Sequence, residues 1–220
     1  MHVKKIISVF LAAAVISVAA VSANAAAVNY YQNWNNGKGS SSYTKGSAAG
    51  NISTTASKSS DGFNAVVGVG WSKGSSTKKI GYNLGSFNIS GSTGCMYQSI
   101  YGWTTNSLIE YYVFQNWKNY VPTDWTKLSG TVSDGGLTYN LYKHQQVNQP
   151  SISGTQTFWQ VGSIPTSQAG TAKNITVDLG KHISAWKNAG MSLGSNYDYV
   201  MMATEYYNCG GNSNFTVWDA

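Results

Sequence analysis

Short segments rich in β-branched and aromatic residues recur along the chain, separated by glycine-containing turn signals. The clearest segments are residues 65–69, 96–103, 108–114 and 199–204. The turn signals are Asn36-Gly37, Asp61-Gly62, Asp134-Gly135-Gly136 and Gly210-Gly211. Short strands joined by such dipeptides are typical of hairpins in antiparallel sheets. The pattern therefore predicts an all-β fold of about a dozen strands.

One segment, residues 177–190, has a different period. Its residues His182, Ile183, Trp186 and Lys187 recur at helical spacing, and Gly190 can end a helix in the left-handed conformation. We therefore expect a single α-helix packed on two stacked antiparallel sheets, with one apolar face buried and an aromatic face lining a groove.

The first 25 residues have the pattern of a signal peptide. Lys4 and Lys5 precede an apolar run over residues 6–21, and Ala23-Asn24-Ala25 matches a cleavage site. The apolar run is shorter than the ~20 residues that span a bilayer, which disfavours a membrane anchor. We expect a secreted, extracellular protein, with a signal peptide at 1–25 and one catalytic domain at 26–220.

The composition favours a neutral polar ligand. Only 10% of residues are charged, whereas the chain holds 15 Tyr and 8 Trp. Aromatic rings stack on the C–H faces of sugars, although many of these rings will simply fill a β-core. The lysines are scattered, and the net charge of +6 includes two lysines of the expected leader, so nucleic-acid binding is disfavoured.

Two glutamates, Glu110 and Glu205, are the only ones in the sequence, and both lie inside apolar strand segments. A carboxylate in such a place needs hydrogen bonds or a shifted pKa, which indicates a site, although either residue alone could face solvent from an edge strand. Strand alternation puts Glu110 on one face with Tyr112, and Glu205 on one face with Tyr199. A separation of ~5–5.5 Å between the carboxyl groups would suit retaining glycoside hydrolysis, and a wider one inversion.

Several motifs in order along the chain resemble the family-eleven glycoside hydrolases, which are endo-xylanases. The motifs are Tyr31-Gln32-Asn33-Trp34, Gly68-Val69-Gly70-Trp71, Tyr101-Gly102-Trp103-Thr104, Leu108-Ile109-Glu110-Tyr111-Tyr112, Ser133-Asp134-Gly135-Gly136, Pro150-Ser151-Ile152-Ser153-Gly154, Gly190-Met191-Ser192-Leu193-Gly194 and Ala203-Thr204-Glu205. The resemblance implies a β-jelly-roll of two strongly curved sheets with one helix and a deep cleft. It also implies a xylan or xylo-oligosaccharide substrate.

The same resemblance implies roles for particular residues. Glu110 would be the nucleophile and Glu205 the general acid/base. The implied substrate-binding residues are Trp34, Asn64, Tyr101, Tyr112, Pro150, Gln160 and Tyr199. Pro150 would lie at the tip of a thumb loop over the cleft. Asn64 would contact the acid/base, and a neutral amide there predicts a near-neutral pH optimum because it does not titrate with Glu205.

The chain departs from the family pattern at several positions. Gln146 stands where Arg is usual, and Gly162 where an aromatic residue is expected. Thr105 stands where Arg is common, Ser107 where Pro is common, and Tyr206 in place of a small residue. These differences are expected to change substrate affinity rather than the carboxylate pair.

Cys95 and Cys209 are the only cysteines, and an exported chain permits a disulfide between them. Strand alternation puts Cys209 on the same face as Glu205. If the strands of Cys95 and Cys209 are antiparallel neighbours, the two thiols approach each other, whereas a different register would leave them free. No metal or other cofactor is expected, because His144 and His182 lack ligand spacing.

Two other functions remain open from the sequence. A noncatalytic carbohydrate-binding module would explain the aromatic residues without needing two buried glutamates. A related jelly-roll β-glucanase would use the same pair on cellulose. In each case we expect a monomer that binds polysaccharide.

Overall fold

The computed structural model describes residues 26–220, so the expected signal peptide at 1–25 lies outside the described residues. The described chain forms thirteen strands and one helix. Their bounds are β1 Tyr30–Asn35, β2 Gly39–Lys45, β3 Asn51–Lys58, β4 Asn64–Trp71, β5 Lys79–Ser90, β6 Cys95–Thr105, β7 Ile109–Lys118, β8 Thr126–Asp134, β9 Leu137–Ser151, β10 Gly154–Pro165, β11 Asn174–Asp178, α1 Leu179–Asn188, β12 Asn196–Tyr207 and β13 Gly210–Asp219.

The strands form two sheets, as the sequence predicts. The larger sheet has eight strands in the order β1-β4-β12-β6-β7-β10-β9-β8, and the smaller has five in the order β11-β5-β13-β3-β2. All pairings are antiparallel except that of β7 with β10, which is parallel. That pair places Gln160 directly opposite Glu110. The expectation of wholly antiparallel sheets is therefore wrong at this one position.

Alternation along the strands of the larger sheet separates two apolar regions. On β7, Tyr111 and Val113 pack into the main core, while Tyr112 and Phe114 join a second, aromatic cluster. Successive strand residues point to opposite faces, so the first region lies between the sheets and the second on the other face of the larger sheet. Burying each such side chain contributes roughly 1.5–3 kcal/mol. The aromatic face is therefore available to line a groove.

The single helix is shorter than the predicted segment. Residues up to Asp178 belong to β11, and the Asp178 side chain then caps the helix by accepting a hydrogen bond from the Gly180 amide at 3.1 Å. Gly190 follows the helix with a φ of +87°, as predicted. His182 and Trp186 are fully buried against the core, whereas Ile183 is half-buried and Lys187 is exposed, so the helical spacing identified the packed face in part.

The last hairpin turns earlier than the sequence suggested. Strand β12 ends at Tyr207, and Asn208 takes a left-handed φ of +53°. Gly210 and Gly211 already belong to β13, so they do not form the turn. Asn tolerates the left-handed region because its short polar side chain can bond locally. Its amide oxygen here accepts a hydrogen bond from the Gly62 amide at 3.1 Å.

The same turn explains why the predicted disulfide is absent from the structure. Both Cys95 and Cys209 are buried free thiols. Because Cys209 follows the turn, it packs in the core between the sheets, whereas Cys95 packs in the aromatic cluster. The Cys209 thiol donates to the Cys95 carbonyl oxygen at 3.1 Å, and the Cys95 thiol donates to the Tyr97 hydroxyl at 2.8 Å. Alternation counted through the turn had put Cys209 on the wrong face.

Within residues 26–220, no helix is both long enough and apolar enough to cross a membrane.

Candidate active site

The two glutamates lie on strands that flank the same central strand. Glu110 is on β7 and Glu205 on β12, and both strands pair with β6. Both side chains face the aromatic side of the larger sheet and line a cavity of about 340 Å³. The structure thus brings together the two carboxyl groups that the sequence singled out.

This cavity is one part of a longer cleft. A second cavity, of about 650 Å³, shares Asn64, Tyr112, Gln160 and Glu205 with the first. Glu110 and Glu205 are the only ionisable acids or bases in the lining of either cavity apart from tyrosines and Cys95. An elongated groove with neutral polar and aromatic walls suits a chain of sugars better than a charged polymer.

Glu110 is held by neutral donors. The Tyr101 hydroxyl donates to its Oε1 at 2.5 Å, and the Gln160 amide donates to its Oε2 at 2.6 Å. Burial raises the Glu110 pKa, and the hydrogen bonds from Tyr101, Gln160 and Tyr112 oppose that rise because they favour the ionised form. Only 6% of the residue is exposed. Trp103 donates to the Tyr101 hydroxyl at 2.7 Å and so fixes the phenol from behind.

Glu205 lies in a different electrostatic setting. Burial and then the negative charge of Glu110 raise its pKa to about 8, against the opposing effect of hydrogen bonds from Asn64 and Tyr112. Tyr112 therefore interacts with both carboxyl groups. A group with a pKa of about 8 is mostly protonated at neutral pH, whereas its partner has donors that favour ionisation. The two carboxyl groups therefore lie in unlike electrostatic settings.

The other predicted binding residues line the first cavity. Trp34, Asn64, Tyr101, Tyr112, Pro150, Gln160 and Tyr199 all do so. Pro150 lies near the end of β9, at the hairpin with β10, together with Ser151 and Ile152. The structure brings the predicted residues to one place, and their individual roles stay predictions.

Sequence reasoning missed several residues of the cavity. Tyr30 lies on β1 and stacks on Tyr199 with ring centroids 4.6 Å apart. Phe158 packs against Trp103 at 4.9 Å. Both face the cleft because they share strand alternation with known lining residues, Tyr30 with Trp34 and Phe158 with Gln160. That alternation was the signal that would have found them.

A different aromatic side chain fills the space beside Gly162, where the family resemblance led us to expect an aromatic residue. A side chain at that position would begin 3.3 Å from the Trp125 ring and 3.2 Å from the Phe114 ring. Trp125, which lies between β7 and β8, also lines the second cavity and stacks on His144 at 5.4 Å. Gly162 therefore leaves the space that Trp125 occupies, and this tryptophan was not anticipated from the sequence.

Three of the departures, Thr105, Ser107 and Tyr206, lie outside both cavity linings. Thr105 accepts a hydrogen bond from the Asn196 amide at 2.8 Å. Ser107 has a φ of +100°, which a proline ring forbids, so the turn between β6 and β7 differs from one built on proline. Tyr206 is fully buried and shares a hydrogen bond of 2.6 Å with Thr54 of the smaller sheet. It therefore connects the sheets instead of touching the cleft.

The histidines are used in packing. His182 lies with its Nε2 3.5 Å from the Asp134 carboxylate and its ring edge-on to Tyr139. His144 stacks on Trp125. Among residues 26–220, no three histidine, cysteine, aspartate or glutamate side chains cluster as metal ligands.

Comparison with known proteins identifies relatives of this architecture. The model of glycosyl hydrolases family 11 matches residues 26–216. An ethylene-inducing xylanase of Penicillium digitatum is 42% identical over 86% of this chain and 81% of its own. Endo-1,4-beta-xylanase A of Schizophyllum commune is 38% identical over 86% of this chain and 93% of its own. A chain from a structural comparison of two major endo-1,4-beta-xylanases of Trichoderma reesei superposes with a TM-score of 0.73, at 35% identity, over 87% of this chain and 99% of that one.

Proposed function

The chain belongs to glycosyl hydrolases family 11, and from this premise we propose a retaining endo-1,4-β-xylanase that cleaves internal bonds of xylan and xylo-oligosaccharides. Endo-xylanase activity follows from the family and from relatives named endo-1,4-beta-xylanases. One observation carries the mechanism. The only two glutamates of the sequence line one neutral, aromatic cavity in unlike electrostatic settings.

In the first step Glu110 is the nucleophile and Glu205 the acid. An ionised Glu110 oxygen attacks the anomeric carbon as the bond to the leaving oxygen breaks, and Glu205 gives that oxygen its proton. The support is the pair of pKa effects. Three donors favour ionised Glu110, while burial and the Glu110 charge keep Glu205 protonated up to a pH of about 8. The leaving sugar chain departs with the proton of Glu205.

In the second step the roles of Glu205 reverse. Once Glu110 is esterified to the sugar, its negative charge is gone, and the second cause of the raised Glu205 pKa, after burial, goes with it. Glu205 then accepts a proton from a water molecule, whose oxygen attacks the anomeric carbon and displaces Glu110. Two displacements restore the original configuration at that carbon, and Glu205 ends protonated as it began.

The aromatic residues would hold the polysaccharide chain across the pair. Trp34 and Tyr199 line the first cavity, and Trp125 lines the second. Tyr101 and Tyr112 would position the sugar and the Glu110 carboxylate together, since both interact with Glu110. Pro150 and its neighbours at the β9–β10 hairpin would cover the bound chain. These assignments follow the family resemblance and the shared cavity lining.

Export completes the proposal. Xylan is an extracellular polymer, and residues 1–25 have the sequence pattern of a signal peptide. Intact mass of the protein recovered from the medium of an expressing host would test this, with a mature N-terminus near Ala26 expected. A full-length chain retained in the cells would contradict it.

The test of the mechanism uses Glu110→Gln. The matched control is Asp61→Asn, an identical carboxylate-to-amide change at a side chain that is 93% exposed. We expect Glu110→Gln to lose hydrolysis by at least a thousandfold, an order typical of removing a catalytic nucleophile, while it still binds insoluble xylan. The control is expected to keep full activity. Proton NMR of early products from the wild type should show the β-anomer first.

Each competing function gives a different result. Wild-type protein that binds xylan without releasing reducing sugar would indicate a binding module. Faster release from carboxymethylcellulose than from xylan would indicate a glucanase. Hydrolysis by Glu110→Gln at the wild-type rate would remove Glu110 from the mechanism, and an early α-anomer would remove retention.

A further inference from the structure

A second glutamine lies behind the one that holds Glu110. The Gln146 amide nitrogen donates to the Gln160 carbonyl oxygen at 3.1 Å, and the Gln160 amide nitrogen donates to Glu110 Oε2 at 2.6 Å. Gln146 is half-buried and lines both cavities. The three side chains form a line of hydrogen bonds that runs from β9 to the Glu110 carboxylate.

The strand register creates this line. Gln160 on β10 is directly opposite Glu110 on β7, while on its other side β10 pairs with β9. Gln146 of β9 pairs with Phe158, which is two residues before Gln160 on the same face. Diagonal neighbours of this kind lie roughly 7–8 Å apart, within reach of two glutamine side chains. The contact is therefore fixed by the pairing of three strands.

The chemistry of the groups gives the line a direction. An ionised carboxylate only accepts hydrogen bonds, so Gln160 must present its NH₂ group to Glu110. Its carbonyl oxygen then faces Gln146, which must present an NH₂ group in turn. Without a donor there, only the Glu110 carboxylate opposes a half-turn of the Gln160 amide, and protonated Glu110, which carries an O–H donor, would accommodate the turned amide oxygen.

We propose that Gln146 is a positioning residue that fixes the orientation of the Gln160 amide and thereby favours the ionised form of Glu110. The inference rests on the proposed role of Glu110 as nucleophile. Gln146 stands where family 11 usually has Arg. This chain therefore has an N–H donor at that position but no positive charge.

The proposal has a definite signature in the pH profile. Glu110 must be ionised for the first displacement, so activity is lost as the pH falls through its pKa. A weaker bond from Gln160 favours the protonated form, which raises that pKa and moves the acid limb of kcat/KM to higher pH. The basic limb depends on Glu205, whose pKa is set by burial and by Glu110, so it should stay in place.

The test compares Gln146→Met with Gln145→Met. Met fills a similar volume but carries no N–H donor. Gln145 is exposed, precedes Gln146 on β9 and points to the opposite face, so the same change there serves as the control. At pH values below the midpoint of the acid limb, we expect kcat/KM of Gln146→Met to be about three- to tenfold lower than that of the wild type. This is the range for weakening a hydrogen bond to a charged group. At the optimum the loss should be smaller.

A third variant, Gln146→Arg, restores a donor. We expect its acid limb to return to the wild-type position or to lie below it, since a positive charge near the pair also favours ionised carboxylates. An equal loss of kcat/KM at every pH in Gln146→Met, or an acid limb that Gln146→Arg also raises, would overturn the positioning role. Activity that survives Glu110→Gln would instead refute the proposed nucleophile, so the two failures are distinguishable.

Discussion

Replacing Glu110 with Gln should lower the pKa of Glu205 by a measurable and bounded amount. Burial first, and the Glu110 charge second, raise the Glu205 pKa from an ordinary 4.5 to about 8. Glu110→Gln removes only the second cause. Two carboxylates at the ~5–5.5 Å separation of retaining glycoside hydrolases repel by about 3 kcal/mol at an effective dielectric of ~20, roughly two pH units as an upper limit. Because burial contributes more, we expect a fall of about one to two units.

The sequence makes this measurement unusually direct. Glu110 and Glu205 are the only glutamates in the chain, so protein grown with glutamate labelled by ¹³C at the side-chain carboxyl gives two signals. Glu110→Gln leaves one. Titration of that signal by NMR reports the Glu205 pKa without interference from the aspartates. The variant also imitates the charge state of the esterified enzyme, in which Glu205 has to act as a base.

The reciprocal variant is the control. Burial is the main influence on the Glu110 pKa, and hydrogen bonds from Tyr101, Gln160 and Tyr112 oppose it. The charge of Glu205 is not among the influences on the Glu110 pKa, so Glu205→Gln should move that pKa little. A Glu205 pKa that stays near 8 in Glu110→Gln would refute the reasoning, since burial alone would then set it and the change of role between the two steps would lose its cause.

Three further outcomes are expected. Asn64→Asp should move the pH optimum of hydrolysis downward, because the new carboxyl and Glu205 would titrate as a coupled pair that loses its first proton at lower pH; an unchanged profile would count against the contact. Tyr206→Phe should lower the free energy of unfolding by about 1–2 kcal/mol in guanidinium chloride, since Thr54 loses a buried partner. Asp134 is buried, yet hydrogen bonds from the Lys181 ammonium at 3.0 Å and the Asp178 amide at 2.6 Å, with the His182 ring nitrogen 3.5 Å away, hold its pKa below the usual range. Asp134→Asn should therefore destabilise the protein by about 1–3 kcal/mol at neutral pH and progressively less as the pH falls below about 4, and a constant difference would contradict this.

Local sequence patterns predicted most of the fold and of the site. Alternation identified the face shared by Glu110 and Tyr112, and helical spacing identified two of the three buried residues of α1, His182 and Trp186. These predictions succeeded because side-chain direction depends on the local period alone. Alternation failed at Cys209, where the left-handed residue Asn208 interrupts the strand and resets the direction.

Long-range pairing is what the sequence did not reveal. The parallel contact of β7 with β10 joins residues 50 positions apart, Glu110 and Gln160. Nothing in the local period of either strand encodes its neighbour. The role of Gln146 was hidden for the same reason, since its partner lies on another strand. Trp125 was hidden because it lies in an irregular connection, outside any periodic segment.

The near absence of other charges from the cleft gives the carboxyl pair its behaviour. No lysine, aspartate or histidine lines either cavity, and at the point where the family usually has Arg the chain presents Gln146. A cation near the pair would favour ionisation of both glutamates and so lower the Glu205 pKa together with that of Glu110. Tyr101 and Gln160 are neutral donors to Glu110 only, so they favour its ionised form while leaving its charge to act on Glu205. Burial is the larger cause of the raised Glu205 pKa, and the part that depends on the charge of Glu110 would disappear at the proposed step in which Glu205 changes from acid to base.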